Sequence, residues 1–210
     1  MRLKTQLLRL SDPSDTGNDN KGYAMRHGSI VKHIYEKNTG EIDVGCDWAT
    51  NLAREHKADW FVWDGDGMGA GLKRQVANNL DATNTKYQMF KGSLSGKGQD
   101  HADNIYQKGY GDKNNNLTNA EVFKNNRADW LVDESLPVMI PDDDEMQADL
   151  CASPFSYDSK DRRVLWRKDR IKEKYGFSPD YGDAAALTFS EPVRQDKRKK
   201  KLNYGPSSLV

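Results

Sequence analysis

The sequence predicts an α/β fold, a mixed β-sheet flanked by helices. Three observations carry that prediction. The order of periodic segments reads β-β-β-α-β-α-β and then helices, which suits one mixed sheet with helices on it. The stretch "WFVWD" at residues 60–64 is a short unbroken apolar run, suited to a strand buried on both faces. Leu72, Val76 and Leu80 recur every fourth residue, the spacing of a helix face. No internal repeat competes with this layout.

The elements follow in order. Residues 3–11 read as a first strand with Leu8 and Leu10 on one face. "DPSDTGNDNKG" at 12–22 is dense in turn formers. Strands resume at 23–27 and 30–35 across a tight turn at Gly28-Ser29. A helix is expected from Asp43 or Val44 to about His56, because Trp48 and Leu52, and Ala49 and Ala53, pair at i, i+4. The strand at 60–64 leads through glycines into a helix from about Ala70, and 86–91 is another strand. Residues 92–116 are polar and glycine-rich and read as a long loop, a length that is usually functional or disordered. Residues 120–136 read as one helix with Phe123, Arg127, Trp130 and Leu131 near one face. A helix at 142–150 opens on acids. A hairpin at 155–166 surrounds "DSKD", a short charged helix covers 169–175, and a turn with a small-residue helix covers 177–189. Residues 1–192 form one domain in this reading, and 193–210 form a basic tail.

Composition narrows the classes of function. The 210 residues hold 32 basic and 32 acidic side chains, a formal net charge of zero, so bulk attraction to nucleic acid or membrane is not expected. Nine Tyr, six Phe and five Trp supply the large side chains that a core needs. Cys46 and Cys151 lie far apart with no CxxC, and the four histidines show no HxxxH pair, which argues for reduced thiols and against zinc. No run approaches the length of a membrane span and no apolar leader follows Met1, so a soluble cytoplasmic protein is expected.

"DGDGMGAGL" after the fourth strand admits three readings. A dinucleotide fingerprint is poorly placed this late in the sheet, and Asp64 and Asp66 would repel a pyrophosphate. A P-loop is excluded, since "GSLSGKG" is one residue short and has Gly98 where a magnesium-binding hydroxyl belongs. The third reading is an acidic metal site, with Asp64 or Asp66 at the strand end offering the oxygen ligands that magnesium and manganese prefer. The glycines would then let a phosphodiester backbone come close. An isolated Asp-Gly is usually a turn, so this reading needs partners. Asp12 ends the first strand, and Asp183 opens the small-residue helix, with Asp180 nearby.

Together these blocks resemble the C-terminal nuclease domain of the large terminase subunit, the DNA-packaging motor of tailed bacteriophages, and the likeness is closest to packaging systems that fill the head to capacity. "DPSDTGNDNKGYAMRHG", "FVWDGDGMGAGL" and "KDRIKEKYGFSPDYGDAAALTF" carry the likeness in family order, and "VFKNNRADW" is similar to the helix between the last two. The likeness spans about residues 7–190. It implies an RNase H-like fold in which Asp12, Asp64 and Asp183 hold two divalent cations, Mg2+ or Mn2+, with Asp66 and Asp180 as nearby alternatives and Asp12 as the bridging ligand. It implies an endonuclease cutting concatemeric double-stranded viral DNA in the host cytoplasm. Its partners would be an N-terminal ATPase motor domain, the small terminase subunit and the portal protein, with no membrane. Two ions serve such a hydrolysis by activating water and neutralising the leaving oxygen. Lys91, Lys97, Lys168 and Lys172 are candidate DNA contacts. The rival readings are a Holliday-junction resolvase or transposase-type nuclease, and a non-catalytic module docking on the procapsid or portal.

Overall fold

A computed structural model describes residues 6–9, 21–109, 116–132, 139–151, 153–177 and 180–189. Asp12 and the basic tail lie outside these residues. Five strands form the main sheet: β1 (Gln6–Arg9), β2 (Lys21–His27), β3 (Ile30–Lys37), β4 (Trp60–Asp64) and β5 (Lys86–Phe90). Their order is β3-β2-β1-β4-β5. The first three run antiparallel, while β1 pairs parallel to β4 and β4 parallel to β5. The expected mixed sheet is therefore present, with β1 at its centre. Leu8 stands level with Trp63, so β1 and β4 deliver their C-terminal ends to the same edge of the sheet.

The pleat of β4 sorts its side chains between two layers, since alternate residues face opposite sides. Phe61 and Trp63 pack on one face with Cys46, Ala49 and Ala53 of α1 (Ile42–Glu55) and with Val76 and Leu80 of α2 (Lys73–Leu80). Val62 points the other way, onto Phe90 and onto Leu187 of α7 (Asp180–Leu187). Burying each such side chain contributes about 1.5–3 kcal/mol. Small residues on α1 let it lie close to the sheet. Burial, reinforced by the charges of Asp47 and Asp43, pushes the Cys46 thiol up to about 12, which keeps it an inert core residue. On the α7 face, Val31, Met146 of α5 (Asp144–Cys151), Ala185 and Phe189 form a further cluster. No helix among the described residues is long and apolar enough to cross a membrane.

The structure departs from the sequence reading in three places. The helix expected from Ala70 begins at Lys73, and Gly67–Leu72 is a 3-10 turn. Three glycines in six residues carry too much backbone entropy for an α-helix to start there. The loop read at 92–116 contains a 3-10 turn at Gly96–Gly98 and a strand, β6 (Ile105–Lys108), paired with β7 (Asn116–Thr118). The single helix expected at 120–136 is two: α3 (Asn119–Val122) and α4 (Asn126–Val132). Between them Phe123 is extended, because its ring is fully buried against Tyr106, with centroids 5.0 Å apart. Asn125 then caps α4, its Oδ1 accepting the Ala128 N–H at 3.0 Å.

The predicted hairpin forms from β8 (Phe155–Tyr157) and β9 (Arg163–Leu165), followed by α6 (Lys168–Tyr175). Asp158 organises its turn by accepting the Arg162 guanidinium at 2.8 and 3.1 Å and the N–H groups of Lys160 and Arg162 at 2.9 and 3.0 Å. The Arg162 hydrogen bonds hold this carboxyl well below its ordinary value of 3.8. A depressed carboxylate stabilises the fold above its unfolded value and stops doing so as pH falls through its folded value. Faster amide exchange at Lys160 and Arg162 is thus expected as pH drops below 3.8, after correction for the intrinsic rate, and no such loosening in the Asp158→Asn variant.

Candidate active site

Three segments distant in sequence meet at the edge where β4 ends. Asp64 follows Val62 on the α7 side of the sheet. It sits in a cleft of about 330 Å³ of open space lined by Asp64, Asp66, Phe90, Gly92, Arg127, Trp130, Leu131, Asp183 and Leu187. Asp64 Oδ1 accepts the Asp66 N–H at 2.9 Å, which closes the turn on the strand end.

Two of the glycines, Gly65 and Gly69, are required by the packing of the turn itself. A Cβ on Gly69 would lie 1.9 Å from the Asp64 carbonyl oxygen, and one on Gly65 would lie 2.1 Å from Met89 Cγ. Trp63 Nε1 donates to the Gly69 carbonyl at 2.9 Å and ties the turn to the core. Gly67, at φ +57°, takes a backbone conformation that side chains disfavour.

Asp66 is committed to the neighbouring loop. Ser93 donates its N–H to Oδ2 at 2.8 Å and its hydroxyl to Oδ1 at 2.6 Å. That loop is anchored in turn by Asn126, fully buried, which accepts the Asp100 N–H at 2.8 Å and donates to the Lys91 carbonyl at 2.9 Å. Burial raises the pKa of Asp100 within this network, against the lowering effect of His101 and Asn126.

Asp183 enters from the first turn of α7, its side chain only 3% exposed. Arg127 of α4 grips it with Nε at 3.3 Å and Nη2 at 3.1 Å from Oδ1, and Nη2 at 3.1 Å from Oδ2. Lys168, at the start of α6, adds Nζ at 3.4 Å from Oδ2. A buried carboxylate requires such compensation.

Of the sequence candidates, Asp64, Asp66 and Asp183 meet at this cleft, and Lys168 reaches it through Asp183. The backbone of Asp180 begins α7. Lys91 is exposed beside Gly92, while Lys97 and Lys172 are exposed and are not among the lining residues. Asp12 lies outside the described residues. Among the described residues no group of three or more His, Cys, Asp or Glu closes into a set able to hold a metal ion. The sequence reading placed Arg127 only on a helix face. Its pairing with Asp183 spans 56 residues, and no local signal marks it.

No family model and no curated protein matches the chain. Solved structures do. The nuclease domain of the large terminase subunit gp2 of bacterial virus Sf6 is 32% identical, with 91% of each chain covered and a TM-score of 0.76. The chain belongs to the nuclease domains of bacteriophage large terminase subunits. A lysine-to-alanine variant of the Sf6 domain, solved with manganese, is 30% identical over 91% of each chain at a TM-score of 0.74. The large terminase nuclease of thermophilic phage G20c, with bound cobalt, shares the fold at 12% identity and a TM-score of 0.51, covering 90% of this chain and 85% of that one. The sheet described above is thus the RNase H-like sheet of a terminase nuclease, an endonuclease acting on DNA.

Proposed function

We propose that this terminase nuclease domain cuts concatemeric double-stranded viral DNA during packaging, with Asp12, Asp64 and Asp183 holding two divalent cations, Mg2+ or Mn2+. The observation that carries the reading is the approach of Asp64 and Asp183 to one cleft from distant parts of the chain, on β4 and α7. Their chemistry fits hard cations, which take carboxylate oxygens. Asp183 carries its charge in this buried position beside two cationic groups, Arg127 and Lys168. The Sf6 relatives crystallised with manganese and calcium support the same class of ion. Asp12 is assigned as the bridging ligand because β1 is central and ends level with β4. Asp66 is demoted to a positioning role, since Ser93 engages both its oxygens. Asp180 remains a weaker alternative to Asp183. Two cations supply an activated water and neutralise charge on the leaving 3′ oxygen.

The remaining groups bind and orient. Asp64 and Asp183 fix the ions to the sheet edge and to α7. Lys168, 3.4 Å from Asp183 Oδ2, neutralises that carboxylate on the α6 side, and Lys91 extends the cationic rim past Gly92. Lys97 and Lys172 are more peripheral contacts. The zero net charge suits a substrate delivered by others, namely an ATPase motor domain, the small terminase subunit and the portal protein, in the host cytoplasm. Phosphate neutralisation otherwise dominates DNA affinity.

The test is supercoiled plasmid incubated with Mn2+, with EDTA added to a duplicate. Nonspecific nicking and linearisation, stopped by EDTA, is the expected result. Cutting confined to four-way junctions would favour a resolvase, and no cutting would favour a docking module.

A further inference from the structure

We propose, resting on the nuclease reading, that Arg127 is the resident counter-cation of Asp183 and yields it on metal loading, turning its guanidinium to a DNA phosphate. Three features of the cleft point there. The first is charge. Asp183 is nearly inaccessible and its two oxygens already face Arg127 at 3.1 Å and Lys168 at 3.4 Å. A divalent ion arriving on the same carboxylate would meet a guanidinium in close contact, so the grip and the ion compete for Asp183. Lys168 leaves Asp183 one neutralising partner when Arg127 departs.

The second feature is mechanical. The root of Arg127 is fixed: its N–H donates to the Gly92 carbonyl at 3.1 Å, and the preceding Asn126 is locked into the 91–100 loop. A Cβ on Gly92 would lie 3.3 Å from Arg127 Cβ and 3.5 Å from Asp66 Oδ2, so the arginine stem packs closely on this glycine. The head is different. It is 25% exposed and lines the cleft, where it can turn without moving α4. The third feature is geometry. A guanidinium fork matches phosphate as well as it matches carboxylate, and remains charged throughout. Arg127 therefore exchanges one bidentate acceptor for another as the duplex enters.

The exchange couples the two ligands. DNA that draws Arg127 away raises the affinity of Asp183 for the ion, and by linkage the ion raises the affinity for DNA by the same factor. A domain that meets ions continuously but DNA only when it is delivered would then complete its site on the substrate.

The test is a Mn2+ titration without DNA, read as the concentration at half-maximal thermal shift, for the parent, Arg127→Gln and Arg127→Lys. Arg127→Gln is expected to bind about tenfold more tightly, within the range of coupled sites, while its plasmid cutting falls. Arg127→Lys should lie between. A half-maximal concentration unchanged or higher in Arg127→Gln overturns the proposal. Should Arg127→Gln not fold, the parent decides: its Arg127 Nε–H resonance, assigned by comparison with Arg127→Lys, must move during Mg2+ addition, and a stationary resonance overturns the exchange. A parent that cuts plasmid but shows no Arg127 effect refutes only this inference. A parent with neither cutting nor metal response refutes the nuclease reading beneath it.

Discussion

Asp183→Asn is expected to abolish plasmid cleavage, by on the order of 10³-fold or more, and to leave the domain folded. The rate follows from losing an anionic ligand where metal charge stabilisation supplies several kcal/mol, each 1.4 kcal/mol being a factor of ten. The stability follows from burial. The Asp183 side chain is 3% exposed, so its charge is costly to bury and is offset by Arg127 and Lys168. Asparagine removes the charge and that cost together, and the two cations it leaves are 25% and 21% exposed, open enough for water to hydrate them. A change within about 2 kcal/mol is expected, because the cations left behind are partly exposed and so escape the larger cost of stranding a fully buried charge. Cleavage rate against Tm separates the two effects. Cutting within tenfold of the parent would remove Asp183 from the site, and the same substitution at Asp12 and at Asp64 tests the other two ligands.

Gly69→Ala should damage the domain at a buried residue that is not among those lining the cleft. The added Cβ would sit 1.9 Å from the Asp64 carbonyl oxygen, a backbone atom that cannot step aside. Either the turn opens, losing the Trp63 Nε1 bond to the Gly69 carbonyl, or Asp64 shifts. Overpacking of this kind costs about 1–3 kcal/mol, and 1 kcal/mol lowers Tm by roughly 2–4 °C at this chain length. Displacing a catalytic group by about 1 Å can cost 10²-fold in rate, so cleavage should fall by about that factor. Gly71→Ala is the control, since nothing lies within 4 Å of its Cβ position and its backbone is not in the left-handed region. Equal Tm and activity for the Gly69 and Gly71 variants would show that the turn yields where packing says it cannot.

What could be read in advance followed local physics. "WFVWD" at 60–64 was legible because an apolar run between turn signals has few alternatives, and Asp64 came with it as the residue at the strand end. The different surroundings of Asp64 and Asp66 were not legible, because both follow the same strand and the bonds from Ser93 to Asp66 come from far along the chain. Part of the role of the glycine turn was hidden for a similar reason. Gly69 and Gly65 answer to Asp64 and Met89, a packing constraint with no sequence signature. The break at Phe123 was hidden because its apolar spacing continued the helix face, while the force that extends it is burial against Tyr106. Residues 92–116 looked unstructured because their anchors, Asn126 and the Phe123 carbonyl that accepts from Gln99, belong to another segment. Arg127 was visible as a residue but not as a partner.

The placement of Asp183 has a consequence for the making of the protein. It lies on α7, at the end of the described chain, and α7 is secured late: Arg26 of β2 donates to the Thr188 carbonyl at 2.8 Å and lies 4.4 Å over the Phe189 ring. Contacts this distant in sequence form only after most of the chain is available. A ribosome-bound nascent chain would carry the β4 turn and α4 well before it could close the cleft. In this arrangement the cleft is complete only once α7 has docked.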